Sequence, residues 1–456
     1  MDIYDVVIKN AQVADPEQEV MFKANIALLN GKIAAITSED IRGKVEIDAK
    51  GCTVSPGFID IHAHIDGNIN CGELSLVQGI TTTVGGNCGG GPLNLDKFFY
   101  RQNKNGFLIN QLQFIGHSFS LRCSVGITNP YTGATENEIR KMKTILEKEF
   151  YNGAVGLSFG LEYAPGSSFE EVIALSKVAS KHKKLISIHT RLRAPNDLDS
   201  LREAVRISEI TGALVQVSHL VYQYGTGVMT EALDIIDRAR DRGVNIWADS
   251  GMYTSFATGI CTSVFDENHI KKFGWKLSDL FIASGSLKGH CLTRDLYKKL
   301  RNKKENAVII CSTGIENEIY EALLKDYIVP SSDSGASPTG NMGEGHPQNA
   351  GTFPRFFRKM VREKNYISPI EAIKKCTLIP ARILGLKNKG RMAVGYDGDL
   401  VVFDLNTICD KSRFLGKGKP DTYPEGIHYV IVNGQIVFEN GRIKKGVLPG
   451  RAIEMN

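Results

Sequence analysis

The middle of this chain alternates short apolar segments with longer segments of helical pattern. The apolar segments number eight: "GFIDIH", "GITTTVGGN", "LQFIGHS", "GAVGLSFG", "LISIHT", "ALVQVSHL", "VNIWADS" and "YIVPSSD". Segments such as "TENEIRKMKTILEKEF" and "SFEEVIALSKVASKHKK" lie between most of them and have the pattern of amphipathic helices. Strand-then-helix units repeated eight times over about 330 residues predict the α/β class, and within it a (β/α)8 TIM-like barrel with insertions.

Two alternatives to this strand number and order remain. "NAVIIC" at 306–311 is a further strand candidate, so the count could differ by one. A doubly wound open sheet is the alternative architecture. The first turn from strand to helix, however, lacks the GxGxxG phosphate loop that is typical of such sheets.

The two ends of the chain resemble each other. "ANIALLNGKIAAIT" joins two alternating apolar runs through Asn30-Gly31, and "HYVIVNGQIVFENGRI" repeats the plan with Asn433-Gly434 and Asn440-Gly441. Such pairs predict β-hairpins, because both central residues of the turn need a positive φ. We therefore expect residues 1–53 and 390–456 to form one small β-sandwich domain, and residues 54–389 to form the barrel as a metal-dependent catalytic domain.

Composition argues against several classes of protein. The formal net charge of +5 is spread along the chain and gives no basis for a nucleic-acid surface. "MDIYDVVIKN" at the start predicts no signal peptide, and no run of about 18 apolar residues exists to cross a bilayer. Nine cysteines without regular spacing predict free thiols, as in a cytoplasmic protein.

Candidate metal ligands stand at the carboxyl ends of the predicted strands. They are His62 and His64 after the first strand, Cys88 after the second, His189 after the fifth, His219 after the sixth and Asp333 after the eighth. In a barrel these ends meet at one face, where active sites are built. His62 and His64 share one side of their strand, so both can face one ion. Imidazole and thiolate ligands suit Zn²⁺.

Each of these residues also has a structural explanation when it is considered alone. A histidine at the end of a buried strand is commonly a hydrogen-bonded structural residue. Cys88 could be a buried apolar thiol, and Asp333 lies in a turn-forming sequence, "SSDSG". Packing does not explain why four histidines and an aspartate fall at the matching ends of predicted strands. The pattern therefore predicts a zinc site.

Zinc at this face would provide hydrolytic chemistry. A zinc ion lowers the pKa of bound water to about 7 and polarises a carbonyl oxygen. Asp333, opposite the metal, would take the proton of the attacking water and pass it to a leaving amine.

At these residues the chain resembles the amidohydrolase superfamily, and within it the D-aminoacylase (N-acyl-D-amino-acid deacylase) group. The resemblance covers nearly the whole chain and includes "GFIDIHAHID", "GITTTVGGNCG", "GAVGLSFGLEYAPG", "GTFPR" and "KCTLIPARILGLKNKGRMAVGYDGDLVVFD". The His-x-His motif alone indicates the superfamily, whereas the Gly-Asn-Cys-Gly run is specific to the group.

The resemblance implies how the ligands divide between two metals. Many superfamily members use a carboxylated lysine on the fourth strand, but "GAVGLSFG" has none, and Lys183 and Lys184 lie at the opposite end of strand five. In the D-aminoacylase group a cysteine after strand two replaces that lysine, and Cys88 matches it. The resemblance then implies a tight Zn²⁺ on Cys88, His189 and His219, a second, weaker site on His62, His64 and Cys88, and Asp333 as the catalytic aspartate.

The resemblance ends at several residues of the substrate pocket. Val221 stands where the group has a lysine, Gly251 lies in "SGMY" where the group has Tyr-Pro-Tyr, and Gln348 stands where the group usually has arginine. In the group these residues would hold the carboxylate and the acyl group of the substrate. The acyl group, side chain and stereochemistry of the substrate therefore stay open.

Three residues are candidates for substrate binding. Arg191, two residues past His189, has the geometry for a bidentate clamp on a carboxylate, and its alternative is a structural arginine. Tyr163 could donate to the carbonyl of the scissile bond or pack the barrel rim. Tyr253 keeps the last tyrosine of the Tyr-Pro-Tyr run.

Together these features predict a zinc-dependent amidohydrolase that cleaves a linear amide. The reaction is deacylation of an N-acyl-D-amino acid, or a similar small N-acyl compound, to a carboxylate and an amine. One alternative is a hydrolase of cyclic amides similar to dihydroorotases and hydantoinases, against which the missing strand-four lysine argues. The other is a non-catalytic barrel, but such proteins usually lose the ligands that this chain keeps. The sequence makes no prediction of the oligomeric state.

Overall fold

The structure is a computed structural model that describes residues 3–303, 307–335 and 341–455. In chain order its strands are β1 (Tyr4–Asp15), β2 (Val20–Leu29), β3 (Lys32–Thr37), β4 (Gly43–Asp48), β5 (Thr53–Pro56), β6 (Phe58–Asp60), β7 (Ile80–Gly85), β8 (Asn110–Gly116), β9 (Gly156–Gly160), β10 (Leu185–His189), β11 (Val215–Val217), β12 (Ile246–Ser250), β13 (Ser255–Gly259), β14 (Leu280–Ile282), β15 (Val308–Ser312), β16 (Ile328–Pro330), β17 (Leu400–Phe403), β18 (Ile427–Val432), β19 (Gln435–Glu439) and β20 (Arg442–Ile443).

The α-helices lie mostly between the strands of the middle region. They are α1 (Ile69–Leu76), α2 (Leu95–Asn105), α3 (Arg122–Ser124), α4 (Glu136–Tyr151), α5 (Phe169–Lys181), α6 (Leu198–Thr211), α7 (Leu220–Tyr224), α8 (Met229–Asp241), α9 (Glu267–Lys272), α10 (Arg294–Asn302), α11 (Glu316–Leu324), α12 (Gln348–Phe356), α13 (Pro369–Cys376) and α14 (Leu378–Ile383). Within the described ranges, no helix has the length and apolar content needed to cross a membrane.

Eight parallel strands form the barrel. They pair in the order β6-β7-β8-β9-β10-β11-β12-β16, and each predicted apolar segment overlaps one of them. The sheet nearly closes on itself, because the segment after β16 bonds to the segment after β6. The backbone N–H of Asp333 donates to the carbonyl of His62 at 2.9 Å, and that of His64 donates to the carbonyl of Ser334 at 2.6 Å. The prediction of a (β/α)8 barrel is confirmed.

Local sequence signals fix where the helices begin. α4 starts after Thr135, whose side chain accepts from the N–H of Glu138 while the carboxylate of Glu138 accepts in return from the N–H of Thr135. α5 starts after Ser168, whose hydroxyl accepts from the N–H of Glu171. Such caps satisfy donors that the first helical turn leaves free, so the two predicted helices form where they are expected.

An insertion between β12 and β16 adds a small separate sheet. β13 and β14 both pair antiparallel with β15, which the segment "NAVIIC" provides. Asn306 of that segment lies outside the described residues. This strand therefore belongs to the insertion, and the barrel has eight strands.

Both ends of the chain contribute to one further sheet of nine strands. Its path is β20-β19-β18-β17-β5-β1-β2-β3, with β4 against β1, so β17 and β5 join the two ends. The Asn-Gly pairs at Asn30, Asn433 and Asn440 all have positive φ and connect β2 to β3, β18 to β19 and β19 to β20. The prediction that the chain ends share strands is confirmed. The division into domains at 1–53 with 390–456 and at 54–389 stays a prediction.

Phe58 anchors the contact between the barrel and the chain-end sheet. Its ring is fully buried at the start of β6 and lies 5.8 Å from the ring of Phe353, 5.3 Å from that of Phe357 and 5.7 Å from that of Phe403. Phe403 ends β17, so this cluster joins the chain-end sheet to α12 and the barrel.

The Phe58→Ala variant should therefore lose much of its stability. We expect the free energy of unfolding to fall by about 3–5 kcal/mol, because the substitution leaves a cavity among three other rings. Denaturant unfolding measures the change. Tyr100→Ala is the matched control, since the Tyr100 side chain is 64% exposed, and it should cost less than about 0.5 kcal/mol. Equal losses for the two variants would contradict this account of the core.

Candidate metal centre

Three candidate site residues have a strained backbone. Cys88 (φ 51°), His219 (φ 32°) and Asp333 (φ 48°) all lie in the left-handed region. For residues other than glycine this conformation costs about 1–2 kcal/mol. Each residue comes shortly after a barrel strand and lines the cavity at the barrel mouth. Strain of this kind is kept where the surrounding structure holds a side chain in a working position.

Two glycines allow the loop of Cys88 to lie close to its neighbours. A Cβ at Gly160 would lie 2.1 Å from the carbonyl oxygen of Cys88, and a Cβ at Gly89 would lie 2.7 Å from Ser118. The Asn87 side chain fixes the same loop by donating to the carbonyl of Val84 at 2.9 Å. Packing at the barrel mouth thus requires glycine at position 89 of the run "GGNCGGG" and at position 160 of β9.

Four of the predicted ligands, Cys88 and three histidines, converge. Sγ of Cys88 lies 3.4 Å from Nε2 of His62 and 3.5 Å from Nε2 of His219. Nε2 of His219 in turn lies 2.9 Å from Nδ1 of His189. Donor atoms bound to one tetrahedral zinc ion at 2.0–2.3 Å stand about 3.5 Å apart. A soft thiolate with imidazole nitrogens at such distances fits zinc.

Asp333 forms a second group with the two histidines of the first strand. Its Oδ1 lies 3.1 Å from Nε2 of His64 and 3.5 Å from Nε2 of His62. His62 thus belongs both to this group and to the group with Cys88 and His219. The structure brings all six predicted ligand and catalytic residues together, and the division of ligands between two ions stays a prediction.

The charges in this cluster favour a bound cation. Burial raises the pKa of the Cys88 thiol, but the charges of His62 and His219 outweigh it and hold the pKa well below its usual range. Burial also raises the pKa of Asp333, but the hydrogen bond with His64 and the nearby histidine charges bring the pKa below its ordinary value. The directions of both pKa shifts therefore favour the ionised forms of Cys88 and Asp333, which are the forms that bind metal.

Two carboxylates hold the histidine rings from behind. Oδ1 of Asp249 accepts from the backbone N–H of His219 at 2.9 Å, and Oδ2 lies 3.4 Å from Nδ1 of His62. Oε2 of Glu162 lies 2.7 Å from Nε2 of His189. Carboxylates in such positions orient ligand histidines and raise their basicity. Sequence reasoning missed both, although Asp249 has the same strand-end position in "VNIWADS" as the ligands.

Gln348 is a further residue that contacts the candidate catalytic aspartate. Its amide nitrogen donates to the backbone carbonyl of Asp333 at 2.7 Å and lies 3.3 Å from Oδ2 of the same residue. Its oxygen accepts from the hydroxyl of Tyr222 at 2.8 Å. Gln348 was noted in the sequence only as a departure from the group, whereas the structure makes it a support for Asp333.

The three predicted substrate-binding residues have different surroundings. Tyr163 lines the cavity, donates its hydroxyl proton to Oγ1 of Thr258 at 3.1 Å and lies 4.7 Å, ring to ring, from His189. Arg191 lines a neighbouring cavity, where its Nε donates to both carboxylate oxygens of Glu203 at 2.8 and 3.0 Å. Tyr253 is buried, and its hydroxyl donates to the carbonyl of Pro347 at 3.3 Å. Substrate roles for Tyr163, Arg191 and Tyr253 all stay predictions, and a clamp at Arg191 would require the guanidinium to leave Glu203.

The candidate ligands and Asp333, together called the metal cluster, open into a cavity of about 650 Å³. His64, Cys88, His189, His219 and Asp333 all lie in its wall. Lys184 lies at the other end of the barrel, because it precedes β10 and donates to the carbonyl of Ala154, which precedes β9. It is therefore not part of this cavity. Small-molecule sites commonly have this size and position in a barrel.

Burial of His346 beside the site predicts a loss of stability in acid. Its Nδ1 accepts from the backbone N–H of Gln348 at 3.0 Å, and its Nε2 contacts Oγ of Ser255 at 2.8 Å. Burial lowers the pKa of His346 to about 3. Below a pH of about 6.5 the histidine is protonated in the unfolded chain but stays neutral in the folded chain. The free energy of unfolding therefore falls by about 1.4 kcal/mol for each pH unit, down to a pH of about 3.

Denaturant unfolding at several pH values between 5 and 7 tests this effect. The His346→Gln variant should show a smaller fall in the free energy of unfolding over this range than the unchanged chain. Parallel pH profiles for the two chains would mean that His346 is not the group responsible.

The comparisons with known proteins agree with this geometry. The model of the Amidohydrolase family matches residues 53–437, and this chain therefore belongs to the amidohydrolase family. An N-acyl-D-glutamate deacylase from Alcaligenes xylosoxydans xylosoxydans is 29% identical over 474 residues, which cover 95% of this chain and 93% of the relative. A D-aminoacylase from the same organism is 26% identical over 472 residues, 96% of this chain and 95% of the relative.

A solved structure extends the agreement to three dimensions. The crystal structure of N-acyl-D-glutamate deacylase from Bordetella bronchiseptica superposes with a TM-score of 0.88 at 26% sequence identity, covering 99% of this chain and 100% of that chain. That protein was crystallised with zinc and a phosphonate inhibitor that mimics the tetrahedral intermediate of its reaction. The resemblance predicted from the residues is confirmed.

Proposed function

We propose that this chain is a zinc-dependent deacylase that hydrolyses the linear amide of a small N-acyl compound, with N-acyl-D-amino acids as the nearest known class. The observation that carries the proposal is the convergence of the Cys88 thiolate, imidazole nitrogens and Asp333 in one cavity at the carboxyl ends of the barrel strands. The relatives named above, which are deacylases of N-acyl-D-amino acids, support the same chemistry.

Cys88, His189 and His219 would hold the tight zinc ion. His62, His64 and Cys88 would hold a second, weaker ion, and the contacts of Asp333 with His62 and His64 add a carboxylate to that group. Zinc bound there supplies a Lewis acid for the amide carbonyl and a water of lowered pKa. Asp249 and Glu162 would keep the rings of His62 and His189 turned toward the ions.

Asp333 would move the proton in the reaction. Its carboxylate takes a proton from the attacking water and then donates the same proton to the amide nitrogen as the carbon–nitrogen bond breaks. Gln348 and His64 hold this carboxylate from two sides. The products are a carboxylate and an amine. Tyr163, which lines the cavity, would turn its hydroxyl proton from Thr258 to the carbonyl oxygen of the substrate.

The cytoplasm is the compartment that we propose for this protein. All nine cysteines are free thiols, and four of them are buried. A thiolate ligand such as that of Cys88 also needs reducing surroundings to stay available for metal.

Hydrolysis by purified, zinc-loaded protein tests the proposed function. The panel contains N-acyl-D-amino acids, N-acyl-L-amino acids, their neutral amides and cyclic imides, and release of amine or carboxylate is followed. We expect cleavage of at least one linear N-acyl compound and its loss after chelation of zinc. Cleavage of cyclic imides alone, or of nothing in the panel, would contradict the proposal.

A further inference from the structure

The cavity that contains the metal cluster lacks, among its described lining residues, the lysine or arginine that would pair with a small acid. Its described lining residues include the carboxylates of Glu162 and Asp333 and the thiol of Cys88, but no lysine or arginine. Polar lining residues such as Asn87, Gln223 and Thr258 are neutral. A carboxylate that left water for this cavity would lose its hydration without gaining a lysine or arginine as partner.

Two arginines near the cavity already have partners. The guanidinium of Arg191 is bound by Glu203 in the neighbouring cavity. Nε of Arg355 donates to the carbonyl of Met252 at 2.9 Å, while its plane lies over the ring of Tyr253 at 4.7 Å. Neither side chain is in the described wall of the metal cavity.

Gln348, a neutral side chain, occupies the region beside the candidate catalytic aspartate. It uses its amide nitrogen for Asp333 and its oxygen for the hydroxyl of Tyr222. The amide of Gln348 is therefore engaged on both sides and does not provide a free donor for a substrate carboxylate.

The insertion gives the same cavity an aromatic wall, which consists of Phe256, Phe273 and Trp275. Their rings pack together, with centroids 5.8 Å apart for Phe256 and Trp275 and 5.1 Å apart for Phe273 and Trp275. All three remain partly exposed, and Val264 and Val308 extend the apolar lining. Partly exposed aromatic rings inside a cavity are suited to cover an apolar group of a ligand.

We propose that the substrate is an uncharged N-acyl compound, with no free carboxylate beside the scissile amide and with an apolar acyl chain that lies against the aromatic wall. N-acyl amines and N-acyl amino acids whose carboxyl group is amidated or esterified belong to this class. This inference rests on the proposed function and narrows its substrate. An acidic substrate finds no lysine or arginine in the described wall for its carboxylate, while the aromatic wall gains apolar contact with each added methylene of the acyl chain.

A matched pair of substrates tests the charge requirement with zinc-loaded, full-length protein. N-hexanoyl-D-phenylalanine and N-hexanoyl-D-phenylalaninamide differ only in the carboxyl group, and release of hexanoate is measured for both and for their L isomers. We expect kcat/KM to be at least about tenfold higher for the amide. An equal or higher value for the free acid would overturn the inference while the proposed function stands. If no compound of the set is cleaved while another N-acyl compound of the wider panel is, the inference alone is overturned, and if no linear N-acyl compound of the panel is cleaved, the proposed function is overturned with it.

Two variants at one position test whether the missing cation decides the preference. Thr313 lines the cavity and is partly buried. Thr313→Lys places an ammonium group in the wall and should shift the ratio of kcat/KM for acid over amide toward the acid by at least about tenfold. Thr313→Met is the matched neutral control and should leave that ratio close to its original value. Equal ratios in the two variants would argue that charge in the wall does not select the substrate.

Acyl chain length tests the aromatic wall. Each buried methylene is worth about fourfold in binding when it is fully removed from water, so hexanoyl should exceed acetyl substrates in kcat/KM by at least about tenfold. Trp275→Ala should reduce this ratio several-fold, whereas Tyr100→Ala, an aromatic truncation on the exposed surface, should not change it. A ratio near one in the unchanged chain, or the same ratio after Trp275→Ala, would contradict the placement of the acyl chain.

Discussion

Replacing Cys88 with serine should remove zinc from the purified protein. Sγ of Cys88 is the one sulfur among the converging donor atoms, with Nε2 of His62 and His219 at 3.4 and 3.5 Å. A hydroxyl is a far weaker zinc ligand than a thiolate. Loss of a side chain that merely hydrogen-bonds a metal ligand costs about 10–100-fold in affinity, so loss of the ligand itself should weaken zinc binding by more than about 100-fold. Zinc titration against a chromophoric chelator measures the change.

Cys71→Ser is the matched control, because Cys71 is also a buried free thiol but lies in α1. We expect this variant to keep the zinc affinity of the unchanged chain. If Cys88→Ser retained zinc as tightly as Cys71→Ser, the thiol of Cys88 would not be a ligand, and the predicted ligand set would be wrong.

Replacing Asp333 with alanine should leave zinc bound and remove turnover. We expect kcat on a confirmed N-acyl substrate to fall by about 100- to 10,000-fold, which is the range for loss of a proton-transferring group. Zinc should remain at the thiolate group, because Cys88, His189 and His219 are unchanged. The weaker group loses the Asp333 carboxylate, so its affinity for metal should fall. Metal analysis and steady-state kinetics on the same sample separate the two effects.

Asp326→Ala provides the control for this second variant, since Asp326 is an exposed aspartate that precedes β16. It should keep both zinc and turnover. Near-normal rates in Asp333→Ala would show that another group moves the proton, and Glu162 would be the next carboxylate to test because it also lines the cavity.

Much of the fold could be predicted because its signals are local. The apolar segments marked eight barrel strands, and the Asn-Gly pairs marked three hairpins in the chain-end sheet. The strand-end positions of the six ligand and catalytic residues could also be predicted, since parallel strands of a barrel finish at one face. "NAVIIC" was ambiguous, because an apolar segment does not reveal whether it pairs with barrel strands or with an antiparallel partner.

The supporting residues of the site could not be predicted in the same way. Glu162 supports His189 from 27 positions earlier in the chain, and Gln348 reaches Asp333 from α12. Such partners depend on tertiary contacts that leave no periodic pattern. The left-handed backbone of Cys88, His219 and Asp333 is likewise invisible in the sequence, because ordinary propensities argue against it. Arg191 is a further example, because the sequence suggested a substrate clamp whereas its guanidinium is bound to Glu203.

The described wall of the cavity has no lysine or arginine, and the residues that support the site are part of the reason. The neutral amide of Gln348 contacts Asp333 and itself accepts from the hydroxyl of Tyr222, and the insertion adds aromatic rings rather than cationic side chains to the wall. The reaction therefore depends on the thiolate and the histidines, whereas the substrate class depends on the wall of the cavity.

Diffraction from crystals of the zinc-loaded chain, recorded on both sides of the zinc absorption edge, tests the central claim most directly. We expect an anomalous peak beside Sγ of Cys88 at about 2.3 Å, with imidazole nitrogens of His189 and His219 at about 2.0–2.1 Å. A cavity without such a peak, or a peak elsewhere with the Cys88 thiol turned away from it, would contradict the account.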